Sequence, residues 1–176
     1  MTFPFLLRRR VAVEDRFWFP LPIAARTALV DTGFCPGPNT RAFAVDDLDL
    51  MVAWLPAALA LPLGLALWLA DQKRRGLVDL PSLNTAIIVL TSIDDSPLAD
   101  HHRDILWSAF HVPIFEQLRG SDGTVIAREC EVHDGLHIVG SLPHIEGELI
   151  RDHCACGSET PRLRRSTSAR ERSAVA

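Results

Sequence analysis

Three of the four cysteines in this sequence fall in two short patches, "CEVHDGLH" (Cys130 to His137) and "HCACG" (His153 to Gly157). Taken together, Cys130, His137, Cys154 and Cys156 form the pattern C-x6-H-x16-C-x-C. Thiolate sulfur and imidazole nitrogen are the donors zinc takes in tetrahedral sites, and three cysteines with one histidine make a recognised structural set. Gly135 and Gly157 give each patch a residue free to adopt positive φ, so that each can turn sharply around an ion. Four protein ligands close the coordination sphere, whereas a catalytic zinc keeps one position open. The chemistry implied is therefore a structural zinc clip between two loops. His133 and His153 compete with His137 for the nitrogen position, and spacing leaves that choice open. Ordinary free thiols at Cys154 and Cys156 are the alternative.

Other chemically suggestive residues have plainer explanations. Asp94–Asp95 followed by Asp100–His102 reads as the solvated, acidic N-terminus of a helix rather than a metal or acid–base cluster. Glu116, in "FEQ", could accept a proton at a cleft, but reads as a surface carboxylate. "GSDG" (Gly120 to Gly123) is too short and too acidic to cradle phosphate, and a hairpin turn accounts for it. No nucleophile elbow and no dinucleotide fingerprint is present. The arginines of the last fifteen residues suit a solvated tail better than a lipid or nucleic-acid contact.

The elements that must position these residues alternate between helix and strand. "DDLD" (Asp46 to Asp49) opens a helix, because acidic groups favour the positive end of the helix dipole. Met51 to Ala70, twenty residues without a charge, predicts a buried helical segment broken at Pro56 and Pro62. It leaves through "DQKRRG", with Gly76 as the cap. At about 30 Å of helix it is also long enough to cross a bilayer, with Trp54 and Trp68 near its ends, so a membrane-anchored protein is an alternative. "TAIIVLTS" is a buried strand, Ser96 to His111 an amphipathic helix, "VPIFEQL" a second strand and "TVIARECEV" a third. Strand, helix, strand, hairpin argues for α/β layering with at least one parallel pair. "DTGFCPGPNT" (Asp31 to Thr40) is a loop.

Composition bounds the class. The 176 residues suit a single domain or one lobe, with 48% hydrophobic and 23% charged residues. A net charge of −4 offers no general attraction for nucleic acid. The N-terminus places its apolar part before its basic part, the reverse of a secretory signal. A cytoplasmic protein with metal-binding or free thiols is expected, rather than a disulfide framework.

The stretches "LNTAIIVLTSIDDSPLADHHRDILWSAFHVPIFEQL" and "RECEVHDGLHI" resemble adenylate-forming acyl-CoA ligases of the phenylacetate-CoA ligase type. The similarity runs over residues 50–165 and is closest from about residue 83 onward. Relatives in that family hold a zinc through Cys, His and a later Cys-x-Cys-Gly pair, which matches Cys130, His137, Cys154 and Cys156. The resemblance implies an α/β fold: part of the family's large domain, a mixed sheet with flanking helices and a C-terminal zinc-stapled loop region. It also implies AMP-binding ancestry, but this chain departs from the family where the chemistry lies. The Ser/Thr/Gly-rich phosphate loop is not found, and "FEQLRGSDG" replaces the aromatic-Gly-x-Ser/Thr-Glu turn. Neither the ribose-binding Asp nor the adenylating lysine can be placed. Those departures argue against ATP or AMP as a cofactor and against catalysis by the chain alone. The expected organisation is a loop-rich N-terminal segment (1–45), an α/β domain with the Cys/His site (46–160) and a disordered basic tail (161–176). The expected function is a pseudoenzyme, a zinc-stapled module for a protein partner or a small acyl ligand. An acyl-CoA ligase component completed by a partner chain is the alternative.

Overall fold

A computed structural model describes residues 17–21, 25–141, 145 and 147–165. The elements in chain order are β1 (Thr27–Val30), β2 (Thr40–Phe43), a 3-10 turn (Val45–Asp47), α1 (Leu48–Ala53), β3 (Ala58–Pro62), α2 (Leu63–Arg74) and β4 (Ala86–Ser92). They continue with α3 (Asp100–Phe110), β5 (Ile114–Arg119), β6 (Val125–Arg128), β7 (Leu136–Ile138), β8 (Glu148–Ile150) and β9 (Arg162–Arg164). All nine described strands join one sheet in the order β2-β1-β3-β4-β5-β6-β7-β9-β8. From β2 to β5 the pairing is parallel, and from β5 to β8 it is antiparallel. This is the mixed α/β architecture expected from the sequence.

The parallel half is buried on both faces, which is why β4 reads as an unbroken apolar run. Alternate residues Leu59, Leu61, Ile87 and Val89 meet Leu69 of α2 and Leu106 of α3 on one face. Their neighbours Ala58, Ala60, Ile88 and Leu90 form the other face, covered by Phe34 and by Phe17, Phe19 and Leu21 of the N-terminal segment. The antiparallel half has a much smaller core: Leu118, Ile126, Ala127, Leu136 and Leu163.

Three expectations change. Met51 to Ala70 is not helix throughout, since strand β3 lies between the end of α1 and the start of α2. The prolines explain the result: Pro62 pushes Leu61 into extended backbone, and the five residues between the two breaks are too short to nucleate a helix. Leu55 leaves α1 in the left-handed region at φ 55°, and the chain then enters the gap between β1 and β4. No helix among the described residues is long and apolar enough to cross a membrane.

The second change is at the N-terminal side, where β1 and β2 bring the segment expected to be loop-rich into the sheet. Thr27 to Val30 are all buried, and the loop of Asp31 to Asn39 links the two strands as a parallel connection. The third is at the C-terminal side, where β9 begins inside the expected tail. Leu163 joins the small core and Arg162 is buried. Residues 1–16 and 166–176, which carry the rest of those two expectations, lie outside the described residues.

This layering predicts a sharp contrast between two apolar truncations. Ile88→Ala, at the centre of β4, is expected to cost about 2–5 kcal/mol of stability. Trp68→Ala, on the exposed side of α2, should cost less than about 1 kcal/mol. Urea unfolding midpoints of the two variants beside the parent check this.

Candidate metal centre

Sheet geometry brings the two cysteine patches together. Cys130 lies two residues beyond the end of β6, and β7 pairs antiparallel with β6, setting His137 opposite Arg128. β9 pairs with the other edge of β7, with His137 opposite Arg162. That pairing places the turn of Cys154 to Gly157 beside the same strand. Gly135 (φ +84°) and Gly157 (φ +85°) both occupy the left-handed region. Gly135 is also hemmed in, because a Cβ there would stand 3.2 Å from the Leu163 carbonyl oxygen.

The sulfurs of Cys130, Cys154 and Cys156 and a ring nitrogen of His137 all lie within 4.8 Å of one another. Cys130 Sγ is 3.7 Å from Cys154 Sγ, and Cys156 Sγ is 3.4 Å from His137 Nε2. In a tetrahedral zinc site with Zn–S about 2.3 Å and Zn–N about 2.0 Å, two sulfurs stand about 3.8 Å apart and a sulfur and nitrogen about 3.5 Å. The residues present fit such an ion. They do not form a disulfide, which needs sulfurs about 2.05 Å apart, and all four cysteines are free.

The surroundings act differently on the ligands, favouring a neutral His137 ring and the Cys154 thiolate but disfavouring the Cys130 thiolate. His137 Nδ1 lies 2.8 Å from Thr160 Oγ1, a contact that fixes the ring and leaves Nε2 facing the sulfurs. Burial holds the His137 pKa below its usual value, against the raising effect of the Thr160 backbone, and the charges of Arg162 and Arg128 act with burial to favour the neutral ring. Burial pushes the Cys130 thiol up to about 12, with the Cys154 and Cys156 side chains adding to the rise. At Cys154 burial also raises the pKa, but the Cys156 backbone N–H, the Cys156 and Cys130 side chains and the charge of Arg162 outweigh it and bring it below the ordinary thiol value.

Two histidines left open by spacing are placed elsewhere. His133 stacks on Phe115 with ring centroids 5.0 Å apart, and its Nδ1 lies 3.2 Å from Glu129 Oε1. His153 is exposed and outside the cluster. Asp94, Asp95 and Asp100–His102 do not converge on a metal position among the described residues. Instead the Asp95 carboxylate accepts the Ser92 N–H, and His102 Nδ1 accepts the Ala99 N–H at the start of α3.

Glu116 is a correction. It is buried rather than a surface carboxylate, because β5 sits between β4 and β6 and turns it inward. Thr91 Oγ1 donates to its Oε1 at 2.7 Å, and Arg165 approaches the same oxygen at 3.4 Å. Its neighbour Glu129 accepts the Glu116 backbone N–H at 2.8 Å and both oxygens accept from Arg103. Burial raises the Glu116 pKa above its usual value, against the lowering effects of Thr91 and Arg165. Nothing in the local sequence marked the burial of this pair of carboxylates or the role of Thr160, since Thr91, Arg165 and the Glu129 carboxylate reach Glu116, and Thr160 reaches His137, from 13 to 49 residues away along the chain.

No family model matches this chain, and no curated protein matches it. Among solved structures it is similar to 2-hydroxyisobutyryl-CoA ligase in complex with 2-HIB-AMP and CoA. The open conformation of that enzyme gives a TM-score of 0.57 at 14% identity, covering 79% of this chain and 44% of the ligase. Its thioesterification state gives 0.56 at 14% identity, covering 80% of this chain and 42% of the ligase. The chain thus shares the fold of part of this ligase, and it spans less than half the length of these neighbours. At such identity the likeness concerns the fold.

Two predictions follow from the site. Thiol ligands must lose their protons to bind, and binding confined to the folded state becomes folding free energy, on the order of 10 kcal/mol for a structural zinc. Cys156→Ser should therefore lose zinc and protease resistance over residues 128–160, while Cys35→Ser, in the exposed loop before β2, keeps both. Thr160→Val should weaken zinc affinity about 10–100-fold. Metal analysis and limited proteolysis read all three variants. For Glu116, a folded pKa raised above the ordinary 4.5 means the folded state binds its proton more tightly. Its contribution is fully present below the unfolded pKa and is lost as pH rises through the folded one. Glu116→Gln should remove that decline, so the stability of the variant relative to the parent grows as pH rises above 4.5. Urea midpoints across a pH series measure it.

Proposed function

We propose that this chain is a non-catalytic, zinc-stapled relative of adenylate-forming acyl-CoA ligases that binds a partner or a small ligand. The observation that carries this reading is the turn where the resemblance would put the family's nucleotide contact. In this chain it is a closed hairpin: the Gly120 N–H donates to the Thr124 carbonyl at 2.9 Å. The Asp122 carboxylate accepts from the Thr124 N–H and hydroxyl at 3.1 and 2.8 Å. An acidic turn whose Gly120, Gly123 and Thr124 donors are bonded within itself has little to offer a phosphate chain, and phosphoryl chemistry rests on clamping that charge.

In this reading Cys130, His137, Cys154 and Cys156 hold the zinc, with Thr160 orienting the imidazole. A bound zinc supplies coordinate bonds linking the end of β6, strand β7 and the Cys154–Gly157 turn, and no open position for substrate. A second reading, a ligase component completed by a partner chain, is favoured by Glu116, a buried acid lining a cavity of about 170 Å³ with Arg103, His133 and Arg165.

The zinc-loaded protein alone is expected to show no ATP-dependent pyrophosphate exchange with aryl or aliphatic carboxylic acids. Sustained exchange above a no-protein control overturns the non-catalytic reading and leaves the ligase reading.

A further inference from the structure

Arg128, the last residue of β6, stands apart from the other arginines of this region. Arg103, Arg162, Arg164 and Arg165 all donate to carboxylates or carbonyls. The Arg128 guanidinium lies over the Trp18 ring, 3.4 Å from its centroid. Among the described residues no oxygen accepts from it. Arginine keeps its charge in proteins and presents five donors in a planar fork that fits a carboxylate. Half-buried against an indole and without an acceptor, this fork is a vacancy for an anion.

The guanidinium faces a cavity of about 310 Å³, which is at the small end of ligand sites. Trp18, Phe19, Leu21 and Val139 form an apolar wall, and the metal-centre residues His137 and Cys156 close one end. Arg128 is the cation lining the cavity, while Glu129 and Glu131 also reach it. Glu129 is already paired with Arg103, but Glu131 is exposed and disfavours a ligand with several negative charges. The cavity thus selects one carboxylate attached to one apolar group. It is also open on one side: Trp18 is 48% and Val139 43% exposed. A free metabolite in a specific site is mostly enclosed, whereas the last residue of a polypeptide buries one side chain and its carboxylate and lets the remaining chain run into solvent.

We propose that the cavity between residues 18–21 and strands β6 and β7 captures the carboxyl terminus of a partner polypeptide ending in an apolar residue, with its terminal carboxylate forked on Arg128. The proposal rests on the reading of this chain as a binding module and names the partner's chemistry.

The test uses the full zinc-loaded chain and a Gly-Ser-Gly-Ser-Leu peptide, with a free carboxyl end or amidated, titrated by calorimetry. The free-acid peptide is expected to bind at least about tenfold more tightly than the amide. Arg128→Gln should remove that difference, while Arg128→Lys, which keeps the charge without the fork, falls between. Equal affinity for acid and amide, or an unchanged preference in Arg128→Gln, overturns the proposal. Hexanoate binding as tightly as the peptide also overturns it, in favour of a free carboxylate. Zinc content is read in each sample. If Arg128 serves only as a counter-charge to the thiolates, Arg128→Gln loses zinc and the zinc-containing fraction keeps its preference for the acid, which counts against the site. A parent that holds zinc and shows no pyrophosphate exchange, yet binds neither peptide at about 1 mM, sinks this proposal alone. Pyrophosphate exchange by a parent that does prefer the acid sinks the non-catalytic reading alone.

Discussion

The antiparallel end of the sheet depends on side-chain links between short elements, and Cys130, His137, Cys154 and Cys156 converge there. Its apolar core is one small cluster, and strands β7, β8 and β9 have three residues each. Short strands over so little buried surface gain too little from desolvation to offset the entropy of ordering them. Side-chain cross-links take up the difference. Arg162 donates to the Asp134 carbonyl and carboxylate and to the Asp152 carbonyl, and so ties β9 to both flanking turns. The four ligand atoms lie at the same junction, where an ion would join the end of β6, the middle of β7 and the turn before β9.

The parallel half needs no such device. β1, β3, β4 and β5 are covered on both faces, and its helices contribute mainly a packing surface. The two halves meet at β5, where charged groups replace apolar packing. Glu129 leaves β6 and caps the Glu116 N–H with its carboxylate, and Arg103 of α3 grips the same carboxylate and the Ile114 carbonyl. The seam between a well-packed half and a sparsely packed one is therefore polar and interlocked. Breaking one partner there leaves another buried charge unmatched, which costs more than the loss of a surface pair.

Much of this was legible in the residues. The β-branched run of β4, the Gly120–Gly123 turn and the acidic start of α3 each follow from local rules, because their main partners are near in sequence. The metal cluster was legible because ligand chemistry is restricted to few residue types, so that spacing narrows the choice. β3 was not, since Ala and Leu favour helix by propensity and only pairing with β1 and β4 makes "ALALP" a strand. The burial of Glu116 was equally hidden. Whether a carboxylate at that position faces solvent depends on which strand lies beyond it, and β6 arrives from the far side of a hairpin.

Arg165 donates to the Ser92 and Asp95 carbonyls and reaches Thr91 and Glu116, contacts separated by as many as 74 residues of sequence. A chain made from its N-terminus therefore completes the parallel strands well before their last polar partner exists. Until residue 165 has been synthesised the Glu116 carboxylate lacks that cation, and until Cys154 and Cys156 have been made Cys130 and His137 are half of a ligand set. During that interval a nascent chain presents two unpaired ligands and an uncovered sheet edge at β7, the stage at which wrong metals and neighbouring chains compete most effectively for it.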